Sequence, residues 1–171
     1  MATVRAPRAY CGRFDQSPIL VLKGRFRHMT ARTLRSFIDD LLVQQPGDTI
    51  IIDLRELESI DSTGMGLLAH LGRTALAHGR RAVIVCGTKD VLTCLRSAAF
   101  DTLFVIVERW PFAEEASVSE VLLDAADLLP EIMGRLMLEA HRDLASLSEQ
   151  NSQAFAGVIS ALESDLHGAG R

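Results

Sequence analysis

The sequence predicts an α/β fold: a mixed β-sheet of about four or five strands, helices alternating with them, and a C-terminal α-helical extension. Three observations carry the α/β reading. Residues 49–54 (TIIIDL) and 82–86 (AVIVC) are continuous apolar runs, as in strands covered on both faces. Between such runs the apolar residues switch to helical spacing. After Trp110 and Pro111 no further strand pattern appears, and the remainder reads as helix. Alternating strands and helices call for a layered arrangement with right-handed crossovers.

Taken in order, a strand around residues 9–14 and a turn at 15–18 precede the strand 19–23 (ILVLK), which ends at Gly24. From Thr30, a good N-cap, the spacing of Leu34, Phe37, Ile38, Leu41 and Leu42 predicts a helix that Pro46 and Gly47 stop. The strand 49–54 follows. Met65, Leu68, Ala69, Leu71, Gly72 and Ala75 then supply a second helix ending near Gly79. Next come the strand 82–86, a helix over 90–98 and a strand over 103–107 (LFVIV). Val118, Val121, Leu122 and Ala125 complete a further helix, and Pro130 fits the first turn of a new one.

From there an apolar stripe runs through Met133, Leu136, Ala140, Leu144, Leu147, Asn151, Phe155, Val158, Leu162 and Leu166 in steps of three, four and four. This eleven-residue repeat suits a straight or slightly right-handed seam. A single helix over 131–166 would span roughly 50 Å. The expected division is therefore a domain over 1–129 and a helical extension over 130–171. The extension folds onto its own domain, forms a homodimer or docks a partner; the stripe leaves these open. Asn151, polar within the stripe, is a candidate register-fixing residue.

Net charge is −4, which gives no argument for nucleic acid. It is split unevenly: residues 1–111 carry 15 Lys/Arg and 11 Asp/Glu, a balance of +4, and residues 112–171 carry 3 and 11, a balance of −8. The acidic tail is thus able to lie against the basic head and mask Arg25 and Arg27. Cys11, Cys86 and Cys94 lack metal-ligand spacing and read as reduced structural thiols. No apolar stretch reaches the length of a membrane span, and the Arg-interrupted N-terminus does not resemble a signal peptide. A cytoplasmic protein is expected, with no membrane, metal or cofactor partner.

Enzyme signatures are poor. There is no nucleophile elbow, no Gly-rich phosphate loop ending in Lys-Ser/Thr and no His/carboxylate cluster at metal spacing. His28, His70, His78, His141 and His167 are scattered, and His70 and His78 read as solvent-facing. No catalytic residue is expected, because a reaction through Ser62 lacks a visible base or oxyanion partner.

One segment stands out: Ile60-Asp61-Ser62-Thr63-Gly64-Met65-Gly66, between a buried strand and a helix. Asp, Ser and Thr are ordinary N-cap residues, so a capped helix start is the plain explanation. Two features add to it. Gly64 and Gly66 fall in the first helical turns, where each costs roughly 1 kcal/mol relative to Ala. A cap does not need them, whereas close approach of another surface does. A hydroxyl at a helix N-terminus is also well placed to carry phosphate, which free N–H groups and the helix dipole favour.

The stretch IIIDLRELESIDSTGMGLLAHLGRTA resembles the core signature of STAS domains, specifically bacterial anti-sigma-factor antagonists: a buried strand, a short acidic loop, then D-S-[ST]-G-x-G opening a helix. LVLKGRF upstream and RAVIVCGTKDVLTCLRSAAFDTLFVIVE downstream keep the family's order, so the resemblance covers roughly residues 9–127. It implies phosphorylation of Ser62 by an anti-sigma factor with serine kinase activity, and reversal by a serine phosphatase. It further implies that Asp61, Ser62, Thr63, Gly64, Met65 and Gly66, with Arg25 and Arg27 nearby, bind the partner while Ser62 is unphosphorylated. One departure bears on this. Where such antagonists commonly carry Asp after the G-x-[LF] of the second strand, this chain has Arg27, within a cluster of Arg25, Arg27, Arg32 and Arg35. Arg32 and Arg35 read as a solvated edge, and Arg27 as a partner for phosphate or for acidic groups. The alternative function is a constitutive STAS structural or accessory subunit of a transporter or signalling scaffold.

Overall fold

Seven strands, more than the expected four or five, form the sheet among the described residues of the computed structural model, which are 6–44, 47–110, 115–123 and 129–168. The element order is β1 (Arg8–Phe14), β2 (Ser17–Phe26), α1 (Ala31–Gln44), β3 (Thr49–Asp53), β4 (Leu57–Ile60) and α2 (Ser62–Ala77). After these come β5 (Arg81–Val85), α3 (Lys89–Ser97), β6 (Val105–Val107), β7 (Ser117–Val121), α4 (Pro130–Ala145) and α5 (Glu149–Gly168). Strands lie in the order β6-β5-β3-β2-β1-β7, and β4 pairs with β2 off that path. The β1 pairings are antiparallel and the others parallel, giving the expected mixed sheet.

The continuous apolar strands have the reason the sequence suggested, since both faces are covered. Leu20, Leu22, Ile50, Ile52 and Ile84 join the large core with the helices. Their neighbours Ile19, Val21, Ile51 and Val85 form a second cluster on the opposite face, with Tyr10, Phe14, Val107, Trp110 and Ala116 packed against it. On that face Arg55 pairs with Asp53 at 2.8 Å and Glu115 at 2.9 Å, holding the Glu115 carboxyl below its ordinary range.

Two strands were not anticipated. β4 is four residues long, too short for a period to declare itself, and it exists because β2 continues past β3. At Gly24 (φ 81°) the β2 ladder shifts register, and residues 24–26 pair with β4 instead. β7 replaces the helix expected from Val118, Val121 and Leu122; Ala125 lies outside the described residues. Val118 and Val121 are three apart, a helical step, but the segment adds to the free edge of β1. Tertiary pairing overrides local spacing there.

The extension also departs from expectation. It is not one long helix but two, joined at residues 146–148 and packed on each other as a hairpin. Ser148 starts the second helix: its Oγ accepts from Asn151 N at 3.1 Å. Helix α4 lies on α2, so of the three possibilities the fold onto its own domain is the one seen. Leu144 is fully buried, Ala140 and Leu138 nearly so. Asn151 has an intramolecular role. It is buried and donates to the carbonyls of Ala98 (2.9 Å) and Leu144 (3.0 Å), tying the hairpin to the end of α3.

Candidate functional site

Asp61 organises the start of α2. Its Oδ1 accepts from Gly64 N at 2.9 Å, a true N-cap, and its Oδ2 accepts from His28 N at 2.7 Å. Its own N–H donates to Phe26 O at 3.2 Å. One carboxylate therefore clamps the β2–α1 loop against the helix start and places that loop, with Arg27, beside the Asp61-Ser62 motif.

Ser62 is the first residue of α2, and its hydroxyl meets a residue that sequence reading did not connect with it. Ser62 Oγ lies 2.9 Å from Nε2 of His141, on α4. His141 Nδ1 lies 2.7 Å from Met137 O, which can only accept, so Nδ1 carries a proton. With the ring neutral, Nε2 holds the lone pair and accepts from the Ser62 hydroxyl. His141 is 3% exposed and sits edge-on to Phe155 of α5. An imidazole thus stands beside Ser62, where the sequence made no base visible. The two residues are 79 apart in the chain, which no local motif could reveal.

The glycines separate into two roles. A Cβ added at Gly64 would lie 2.7 Å from Ile60 Cγ1, so Gly64 fits the helix to its own preceding strand. A Cβ at Gly66 would lie 2.6 Å from Ala140 Cβ and overlap the Ala140 carbonyl. The close approach anticipated at this glycine is made by α4 of the same chain. Thr63, Gly64, Met65 and Gly66 are all buried, while Asp61 and Ser62 are half-buried.

Around this contact the basic domain and the acidic tail do meet, at other residues than expected. Arg35 reaches Glu139 at 3.1 Å and also pairs with Asp39, so it is no solvated edge. Arg73 reaches Asp143 at 2.6 Å. His70 is not solvent-facing: it bridges Asp39 (3.1 Å) and Asp143 (3.4 Å). Arg25 pairs instead with Glu58 at 3.3 Å, and exposed Arg27 makes no ion pair among the described residues. No described group of His, Cys, Asp and Glu could hold a metal ion, and no described helix is long and apolar enough to cross a membrane.

Comparison with known proteins agrees with this architecture. The family model described as Mlab, STAS domain, matches residues 12–108, more than half of the chain, and ends before the hairpin. Among solved structures, an anti-sigma factor antagonist from Mycobacterium paratuberculosis superposes with a TM-score of 0.55 at 17% identity, over 61% of this chain and 87% of that one. The anti-sigma factor antagonist SpoIIAA in its unphosphorylated form gives 0.50 at 19% identity, over 61% and 90%. The protein TM1081 gives 0.51 at 20% identity, over 56% and 77%. At these identities the structures speak for the fold, and the family match adds membership: this chain belongs to the STAS domain family.

Proposed function

We propose that this protein is an anti-sigma-factor antagonist, a partner switch set by phosphorylation of Ser62. The observation that supports this best is the placement of Ser62 as the first residue of α2, directly after an Asp61 that both caps the helix and fastens the neighbouring loop. In this reading an anti-sigma factor with serine kinase activity binds the unphosphorylated protein at the start of α2, over residues 61–66, of which Asp61 and Ser62 are half-buried. Arg25 at the end of β2 and Arg27 in the loop after it join that surface. Phosphorylation adds about −1.5 to −2 charges next to the Asp61 carboxylate. A surface fitted to a neutral hydroxyl then meets desolvation cost and like-charge repulsion, and each 1.4 kcal/mol lost is about tenfold in affinity. A serine phosphatase restores binding. Arg27, free of described ion pairs, is the cation available to the phosphate or to an acidic partner.

Ser62 acts here as phosphoacceptor and not as a nucleophile paired with His141. A substrate for such a pair would have to enter between α2 and α4, where the imidazole is 3% exposed. The second reading, a constitutive accessory subunit, draws support from that same burial, because a covered Ser62 suits a domain that never switches. Partner affinity separates the two. Ser62→Ala should keep the fold and bind the partner captured from cells at least as tightly as wild type, and Ser62→Asp and the phosphorylated protein should bind about tenfold or more weakly. Equal affinity across the three forms would favour the accessory subunit.

A further inference from the structure

The hairpin lies outside the family match, yet it sits on the residues that carry the family motif. Its first helix places Ala140 over Gly66 and His141 over Ser62, and ion pairs from Glu139 and Asp143 to Arg35 and Arg73 flank the contact. We propose that the α4–α5 hairpin is a built-in cap that opens and closes over the Ser62 surface, competing there with any outside partner.

Three features argue for a cap in place of a permanent layer. The contact over Ser62 is polar, between a hydroxyl and an imidazole nitrogen, and in this form it is lost when that hydroxyl carries phosphate. A phosphoryl group needs room for phosphorus and three oxygens where His141 now stands 2.9 Å away. Phosphorylated Ser62 therefore cannot keep the Oγ–Nε2 contact of the docked hairpin as it stands, a consequence that rests on the phosphoacceptor reading. Second, the flanking ion pairs are partly exposed, with Arg73 and Glu139 side chains 47% and 57% accessible, so salt weakens them. Third, α5 packs mainly on α4: Asn151 is its one buried residue among those described, and Ile132 and Leu129 at the start of α4 stay exposed. Most of the core residues come from the sheet and α1, α2 and α3; from the hairpin Leu144 joins them, with Leu136, Leu147 and Phe155 packed at the edge.

The test reads access to position 62 without using a kinase. In the full chain, Ser62→Cys is made together with Cys94→Ser, since Cys94 is the exposed native thiol; Cys86 is buried and Cys11 half-buried, and burial pushes both thiols up. The rate of maleimide labelling at position 62 is then compared with and without Gly66→Ala. The added methyl meets the Ala140 backbone and leaves α2 itself a better helix former. Labelling should rise about tenfold or more, the size of shift that overpacking of this kind produces. An unchanged rate in a folded Gly66→Ala protein would overturn the cap. Hydrogen exchange on the wild-type chain decides independently, should that variant fail to fold. A cap requires α4 and α5 amides to exchange through openings that leave β3 and β5 protected, and equal protection of hairpin and sheet would overturn it. Neither readout depends on phosphate, so a Ser62 that is never phosphorylated leaves this result standing.

Discussion

Helix α2 has two neighbours and is held by them in different ways. Toward the domain it contributes Leu67, Leu68, Leu71 and Ala75, all fully buried in the core that the sheet and the other helices share. Gly72 there accommodates Phe104, whose ring would lie 2.5 Å from an added Cβ. Toward the hairpin it offers a hydroxyl, a bare glycine and the basic side chains Arg35 and Arg73 around them, the first from α1 and the second its own. The first contact is apolar area removed from water, which salt does not weaken and which has no alternative partner. The second adds buried Leu144 of α4 to a close backbone approach and to polar and charged groups that water or another protein can also satisfy. The core contact and the proposed cap thus occupy two faces of one helix.

Truncating the same kind of side chain on either side should break this comparison most sharply. Ile52→Ala, in the sheet core at 0% exposure, should cost about 2–5 kcal/mol of global stability in a denaturant titration, with hairpin and sheet lost together. Leu144→Ala, equally buried but on α4, should remove a comparable about 2–5 kcal/mol from hairpin docking. Its hydrogen-exchange protection should fall in α4 and α5 while β3 and β5 keep theirs. If Leu144→Ala lowers sheet protection by the full amount, the two regions form one cooperative unit. Asp61→Ala comes next. It removes the cap of α2 and the bond to His28 N, and should lower the thermal midpoint by an amount equivalent to about 1–2 kcal/mol. The smallest effect belongs to the exposed ion pairs. Arg73→Ala should cost under about 1 kcal/mol of docking at low salt, and the difference from wild type should vanish at high salt. A salt-independent loss would show that Arg73 matters through packing.

Much of the sheet and the motif helix was legible because periodicity and composition act locally. The double-sided strands announced themselves as unbroken apolar runs, and Gly66 announced a close neighbour by costing helix stability for no local return. What escaped depended on chain-distant pairing. β7 forms because β1 has a free edge, not because SVSEV prefers extension. The break between α4 and α5 was written in the sequence as Ser148 three residues before Asn151, a cap signal. The unbroken three-four-four stripe concealed it, since a hairpin whose helices share a buried side keeps the same stripe. His141 gave no sign at all. A histidine within an amphipathic helix becomes a contact of Ser62 only once Ala140 has settled over Gly66, and that juxtaposition exists in three dimensions alone.

Phosphopeptide mapping of the protein isolated from its own cells tests most directly whether a phosphate is gained and lost at Ser62. The peptide containing Ser62 should carry phosphate on that hydroxyl, and its occupancy should rise when serine phosphatase activity is removed. A Ser62 peptide that stays unmodified with the phosphatase removed would contradict the switch.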